Sequence, residues 1–287
     1  WRRKKMKLSV IIPTYNKSTR FNIMLLSLQQ EVVTLDTPEN IEIIVIDDGS
    51  CDNTRDIVGR YGEKMNIKYI YQKNGGLSNA RNSGIQNAEN TNLLFLDDDR
   101  VVCDGYLKNL SYMNADIVFG KRKEWYIRNF QNRLDEVFSI VSTQKEILHN
   151  KTSNSRYYIK TRSIYSKIDT SIPWVGCTFA NTLIKKDVFD EIGGFSERFV
   201  GWGFEDMDVS YRAFKAGYRF AMNDEMVTYH LYHQHGKEIY AQRDNNFKVF
   251  FERNPDYPVA LYEDFYHNKI SLFEYEEKVR TYYDNTR

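Results

Sequence analysis

The sequence predicts an α/β fold, doubly wound, with a mostly parallel central sheet, flanking helices and a helical C-terminal extension. Three observations carry this. Short β-branched apolar runs recur through the first 120 residues, each closed by turn residues. Segments of helical spacing separate them, the alternation of a parallel sheet. From residue 236 onward the chain reads as helical and is rich in Tyr and Phe.

Taken in order, the strand runs are 8–12, ending at Pro13, then 41–46, 67–71, 93–96 and 117–119. The helical segments between them are 22–30, 53–63, 77–87 and 106–113. Ligands of such sheets sit beyond the carboxyl ends of the strands. That rule puts Pro13-Thr14-Tyr15-Asn16, Asp47-Asp48-Gly49 and Asp97-Asp98-Asp99 at one rim. Residues 121–170 are charged, aromatic and aperiodic, and read as mainly helical with a mobile loop near 150–155. Strand character returns at 175–184 and again at 226–229. Helix 186–192 stops at Gly193-Gly194, and a helix from about 205 to 216 stops at Gly217. The expected organisation is residues 1–120 as a nucleotide-binding half, 121–235 as an acceptor and catalytic half of the same domain, and 236–287 as the extension.

The chain has 287 residues, with 40 Lys and Arg against 39 Asp and Glu. So even a balance argues against a general nucleic-acid binder. No apolar run reaches the roughly 18 residues that a bilayer span needs. Cys51, Cys103 and Cys177 are odd in number and scattered, which argues against a disulfide framework or a structural zinc site. With no signal-peptide pattern, the expected location is cytoplasmic. The basic segment 2–7 leaves peripheral attachment at the inner membrane face as an alternative.

Three clusters carry chemistry. Asp97-Asp98-Asp99 follows an apolar strand, and extended geometry would point Asp97 and Asp99 the same way. Converging carboxylates need a cation between them, and a divalent metal with a diphosphate answers that. The competing reading is a solvated acidic turn. The second cluster is Gly201-Trp202-Gly203-Phe204-Glu205-Asp206. Acidic residues favour a first helical turn in any case. Here the glycines also admit a ligand to the backbone, Trp202 offers a flat face to a sugar, and a carboxylate can act as general base. The third cluster is His230, His233 and His235. Strand geometry does not let His230 and His235 both share a face with His233 unless the strand bends, so one metal ligand among them is expected and three are not.

In this order the residues resemble the family 2 glycosyltransferases of the GT-A fold, over residues 7–235. The resemblance rests on Ser9-Val10-Ile11-Ile12-Pro13-Thr14-Tyr15-Asn16, on Val45-Ile46-Asp47-Asp48-Gly49-Ser50, on Asn74-Gly75-Gly76-Leu77-Ser78-Asn79-Ala80-Arg81-Asn82 and on Leu96-Asp97-Asp98-Asp99. Gly193-Gly194-Phe195 with Gly201-Trp202-Gly203-Phe204-Glu205-Asp206 is similar to the acceptor motif of galactosyl-, N-acetylgalactosaminyl- and chondroitin-type transferases. The resemblance implies a Rossmann-like GT-A sheet and an inverting, metal-dependent transfer of one sugar. The donor is a UDP-sugar, and the acceptor is a hydroxyl of a glycan or glycoconjugate.

It further implies that Pro13, Tyr15, Asn16, Asp47, Asp48, Arg81, Asp97 and Asp98 serve the nucleotide, while Asp99 and His230 hold Mn²⁺ or Mg²⁺. Asp206 would be the base, with Glu205, Trp202 and Gly203 contacting sugar or acceptor. The Gln-x-x-Arg-Trp motif of processive synthases does not follow the base. The competing readings are a nucleotidyltransferase and a non-catalytic carbohydrate-binding module. The aromatic tail is expected to cover its own core, with homo-oligomerisation as the alternative.

Overall fold

The computed structural model describes residues 6–165, 170–234 and 236–286. Most of the basic N-terminal segment and His235 therefore lie outside the described residues. The first half alternates β1 (Leu8–Thr14), α1 (Ser18–Val33), β2 (Ile41–Asp47), α2 (Thr54–Tyr61), β3 (Ile67–Tyr71), α3 (Leu77–Asn87) and β4 (Asn92–Leu96). A short β5 (Arg100–Val102) follows, then the long β6 (Ile117–Trp125). The second half holds α4 (Leu134–Thr143), α5 (Leu148–Lys151), β7 (Ser153–Asn154), α6 (Arg156–Thr161), β8 (Asn181–Lys185), α7 (Lys186–Ile192), α8 (Glu205–Lys215) and β9 (Phe220–Leu231). The extension is α9 (Glu238–Arg253), α10 (Tyr257–Tyr266) and α11 (Leu272–Thr286).

These strands form one sheet in the order β3-β2-β1-β4-β8-β6-β9-β5, with β7 beside β6. β3, β2, β1 and β4 pair in parallel, as do β6 and β9. β8 runs antiparallel to both β4 and β6, so the two parallel blocks share one direction. The carboxyl ends of β1, β2, β4, β6 and β9 therefore open onto one rim, where β5 and β8 begin. β1 and β2 are buried along their whole length, as expected of strands covered on both faces. One face packs on α1 and α2 through Phe21, Leu25, Leu28 and Ile57. The other packs on α3, α7 and α8 through Ala80, Ile85, Val188 and Val209.

Four expectations need correction. Residues 106–113 form turns rather than a helix. Tyr106 is buried and donates its hydroxyl to Asn181, which ties this stretch to the sheet. The stretch 121–170 begins as strand, because β6 runs on past Gly120 through a register shift against β9. Ser153 and Asn154 pair with β6 instead of forming an unattached loop. The run 175–184 is strand only from Asn181, since Pro173–Gly176 closes a 3₁₀ turn.

The aromatic tail packs on its own chain. Phe250, Tyr262, Phe265 and Tyr275 bury against Trp174, Phe204 and Tyr211 of the main domain. A polar clamp reinforces this contact. Asp208 on α8 is fully buried and accepts hydrogen bonds from Arg212, from Arg253 and from Asn254. A buried carboxylate is tolerable only with such partners. Asp208→Ala would leave the buried Asn254 amide and the half-buried Arg253 without their shared acceptor. It is expected to cost about 3–5 kcal/mol of folding stability in urea titration, the usual consequence of breaking a buried ion pair. An unchanged midpoint would mean that the clamp carries no load.

Candidate active site

The rim is built around one guanidinium. Arg81 projects from the first turns of α3 and is buried, with 2% of its side chain exposed. Its Nη1 donates to Asp206 Oδ1 at 2.7 Å and lies 3.5 Å from Glu205 Oε1. Its Nη2 reaches Asp97 Oδ1 at 3.3 Å. Phe195 supports the guanidinium from below, 5.2 Å from ring centroid to Cζ. The next residue of α3, Asn82, accepts from the Phe195 N–H and donates to its carbonyl. One helix turn thus fastens the second acidic cluster to the end of β4.

Glu205 and Asp206 begin α8 after a strained approach. Gly201, Gly203 and Phe204 all have positive φ, at 74°, 105° and 71°. For a bulky residue such as Phe204 this backbone is costly and needs outside support. Its ring is held by stacking on Phe250 and edge contacts with Phe247 and Tyr262. The same loop is gripped by α9. Asn246 accepts from the Val200 N–H and donates to the carbonyls of Val200 and Trp202. Gln242 accepts from the Trp202 N–H. Trp202 remains 42% exposed.

Helix geometry suggests that Glu205 and Asp206 diverge, yet both meet Arg81. Burial, then the Asp206 charge, pushes the Glu205 carboxyl up to about 7. Burial also raises Asp206, helped by Asp97 and opposed by Arg81. Asp206 Oδ2 accepts from the Phe179 N–H at 3.1 Å. The helix N-terminus, which favours the ionised form, therefore does not set its ionisation alone. Desolvation outweighs it.

The acidic triplet splits three ways, because a turn follows β4 and extended alternation stops at Leu96. Asp97 faces Arg81 and Arg100. Asp98 and Asp99 share Lys17, whose Nζ lies 3.2 and 3.1 Å from their oxygens. Burial first, and then the Asp99 charge against that of Lys17, leaves Asp98 raised to about 6. For Asp99, burial is overcome by Lys17 and by hydrogen bonds from His230 and His233, and the group sits well below the usual carboxylate range.

Asp99, His230 and His233 offer ligand atoms all within 4.8 Å of one another. The expectation that His233 faces elsewhere fails because β9 ends at Leu231, so His233 lies on the following loop. His233 Nε2 is 3.2 Å and His230 Nε2 is 3.5 Å from Asp99 Oδ2. Behind His230, Nδ1 meets Glu124 Oε2 at 2.6 Å and Arg122 Nη2 at 3.0 Å. If an ion replaced the contact between His230 Nε2 and Asp99, the imidazole would donate its Nδ1–H to Glu124 and turn the Nε2 lone pair to that ion, the arrangement that orients metal-bound imidazoles. Asp99 Oδ1 is buried without a hydrogen-bond partner. A carboxylate and two imidazoles fit a divalent metal ion.

On the other flank, Tyr15 is 49% exposed. Asn16 holds the facing loop through Ser50 and Cys51. Pro13 is buried inside β1 instead of ending it. Asp47 accepts from Ser50 N–H and the Tyr69 hydroxyl. Asp48 accepts from Gln72 and from the N–H groups of Gly75 and Gly76, and so builds the turn before α3. Sequence reading missed Lys17, Arg100, Arg122 and Glu124. Arg100 adjoins the triplet and was the most accessible of these. The others reach the site only through pairings that no local spacing announces.

The raised carboxyl of Glu205 makes a stability prediction. The fold keeps its proton up to about pH 7, while the unfolded chain releases it near the ordinary glutamate value of 4.5. Ionising it in the fold is unfavourable, so this group lowers stability as pH rises from about 4.5 to about 7. Glu205→Gln removes the effect. The variant should melt roughly 2–5 °C above wild type near pH 8 and match it near pH 5. A gap that is the same at both pH values would contradict the assigned burial.

Residues 9–193 match the family described as glycosyl transferase family 2, and residues 160–235 match the N-terminal domain of galactosyltransferase. Validoxylamine A glucosyltransferase of Streptomyces hygroscopicus subsp. limoneus is 28% identical over 231 residues, which cover 76% of this chain and 50% of that protein. Chondroitin synthase of Pasteurella multocida is 30% identical over 245 residues, covering 79% of this chain and 25% of that protein. The chain thus spans half of the first relative and a quarter of the second. Among solved structures, a fragment of S. aureus TarS in complex with UDP-GlcNAc superposes with a TM-score of 0.60 at 19% identity, covering 86% of this chain and 66% of that one. The mannosyltransferase PcManGT from Pyrobaculum calidifontis, in complex with GDP-Man and Mn²⁺, gives 0.56 at 16%, covering 86% and 62%. At such identities the likeness is one of fold, and it is of the GT-A type. The family match runs from β1 through Asp47-Asp48 and the acidic triplet to Gly193, and on it the chain belongs to glycosyl transferase family 2.

Proposed function

We propose that this chain transfers a single sugar from a UDP-sugar to a hydroxyl of a glycan or glycoconjugate, with inversion at the anomeric carbon. The observation that carries this reading is the Arg81 bridge. It joins Asp97, at the end of the strand that leads to the Asp99–His230–His233 cluster, to Asp206 and Glu205. A diphosphate needs the first group of residues and an attacking hydroxyl needs the second. The similarity to a glucosyltransferase and a chondroitin synthase, and the fold likeness to a UDP-GlcNAc complex, support the same donor class.

In this reading Asp206 takes the proton of the acceptor hydroxyl as its oxygen bonds the anomeric carbon. The bond to the diphosphate breaks on the opposite face. Burial raises the proton affinity of Asp206, which suits a base. Arg81 steadies the carboxylate and Trp202 lies beside the acceptor. Asp99, His230 and His233 would hold Mn²⁺ in preference to Mg²⁺, since two imidazoles suit the softer ion. Such an ion stabilises negative charge developing on the leaving diphosphate. Tyr15 and Asn16 face the nucleoside, and Asp47 and Asp48 shape the loop around it. No helix among the described residues is long and apolar enough to cross a membrane. We place the reaction in the cytoplasm.

Asp206→Asn keeps shape but removes basicity. It should lower turnover by roughly 10²–10⁴-fold while Mn²⁺-UDP affinity holds within about twofold. Transfer at wild-type rate would remove Asp206 from the base role. Asp99→Ala should abolish the Mn²⁺ dependence of UDP binding in calorimetry, with GDP as the control nucleotide. Retained Mn²⁺-dependent binding would move the metal elsewhere.

A further inference from the structure

Three nitrogens converge on one carboxylate oxygen. Asp99 Oδ2 lies 3.1 Å from Lys17 Nζ, 3.2 Å from His233 Nε2 and 3.5 Å from His230 Nε2. The carboxylate and the two imidazoles are the candidate metal ligands. A lysine ammonium therefore stands on the same oxygen that a divalent ion would use. Two cations on one oxygen repel each other, and inside a protein that repulsion is weakly screened.

Lys17 is placed to change partners. Its backbone is fixed, because its carbonyl accepts from the Phe21 N–H at 3.0 Å and the neighbouring Ser18 N–H donates to Asp52 at 2.9 Å. Its side chain is 36% exposed and carries a point charge on a flexible stem. The other cations of the rim are less free. Arg81 and Arg100 are buried, Arg122 is bound to Glu124 at 2.6 Å, and Arg20 donates to the Leu231 carbonyl at 3.2 Å. The place of Lys17 in the chain says where its charge would go. It directly follows Tyr15 and Asn16, which face the nucleoside in the proposed reading, and it touches Asp99 of the metal cluster. A diphosphate links nucleoside to metal, so it crosses the space beside Lys17. Its oxygens offer the ammonium a charge-assisted hydrogen bond in exchange for the one given up.

We propose that Lys17 exchanges partners when the donor binds: it yields Asp99 to the divalent ion and pairs instead with the diphosphate of the nucleotide. The ion thus competes with Lys17 for Asp99, and the nucleotide rewards the displacement. The inference rests on the glycosyltransferase reading and deepens it by assigning a further residue to the leaving group.

The test titrates the full chain in calorimetry, first with Mn²⁺ alone and then with UDP at saturating Mn²⁺. Lys17→Met keeps the stem and removes the charge, and Lys17→Arg keeps the charge. Lys17→Met should bind Mn²⁺ alone about tenfold tighter than wild type, the scale of coupling between neighbouring sites. It should bind UDP about tenfold more weakly, as expected for one lost hydrogen bond to a charged group, with uridine affinity by ligand-observed NMR unchanged. Lys17→Arg should bind Mn²⁺ within about threefold of wild type, because a competing cation remains. A fold merely weakened by substitution would lower both affinities, so the opposite signs are the signature. Mn²⁺ binding that is unchanged or weaker in Lys17→Met overturns the proposal, as does unchanged UDP binding. If Lys17→Met does not fold, Lys17→Gln, whose amide still donates to the carboxylates, is titrated in its place with the same expectations. A wild-type chain that binds neither Mn²⁺ nor UDP overturns the transferase reading itself. Wild-type binding of both, with Lys17→Met indistinguishable from it, overturns this inference alone.

Discussion

The buried guanidinium of Arg81 is the interaction on which the rest of the site depends. A cation fully removed from water is unfavourable unless carboxylates surround it. Carboxylates brought together are equally unfavourable unless a cation lies among them. Arg81 and the trio Asp97, Glu205 and Asp206 resolve both problems at once. Arg81 and Glu205 are buried, and neither would be stable there without the others. Two segments more than a hundred residues apart are therefore fixed to each other by charge balance as well as by packing. That relation sets where a leaving group and a base would stand.

A second constraint acts on the loop before α8. Three left-handed residues in four do not persist by local preference, least of all with a phenylalanine among them. The extension supplies what the loop lacks. Phe250 and Tyr262 fix the Phe204 ring, Asn246 and Gln242 fix the backbone, and Arg253 and Asn254 hold α8 through Asp208. The aromatic tail, which matches no motif in the sequence, is thus the support for the most motif-like part of the chain. Strain at the site and packing in the tail are two sides of one arrangement.

Much of the first half was legible because its signals are local. Parallel strands buried on both faces read as unbroken apolar runs, and β3, α3 and α7 have the expected ends. The segment after Gly120 was not legible. There β6 runs Lys121-Arg122-Lys123-Glu124-Trp125, a charged run with no apolar alternation, because Arg122 and Glu124 turn to His230 at the rim. The site divides the same way. Asp206, Asp99 and His230 stand in spacings that carry meaning. Lys17 and Glu124 do not, since each acts on a partner many residues away. The side-chain directions of Asp97 and Asp99 could not be read from alternation, because that rule ends with the strand.

The charge arrangement across the rim also explains why this acidic site can fold on its own. Lys17 neutralises Asp98 and Asp99, Arg100 stands between Asp97 and Asp99, and Arg122 balances Glu124 behind His230. Each negative group has a protein cation close by. Folding does not have to wait for an ion, and the ligand atoms are already oriented. What remains unmatched is specific. Asp99 Oδ1 and Arg100 Nε are buried and face each other at 3.6 Å, an ion pair too long for a hydrogen bond, and Arg100 Nη1 is buried without a hydrogen-bond partner. Groups held so are attracted but not fully satisfied, and polar atoms entering the rim would complete what the protein leaves unmade.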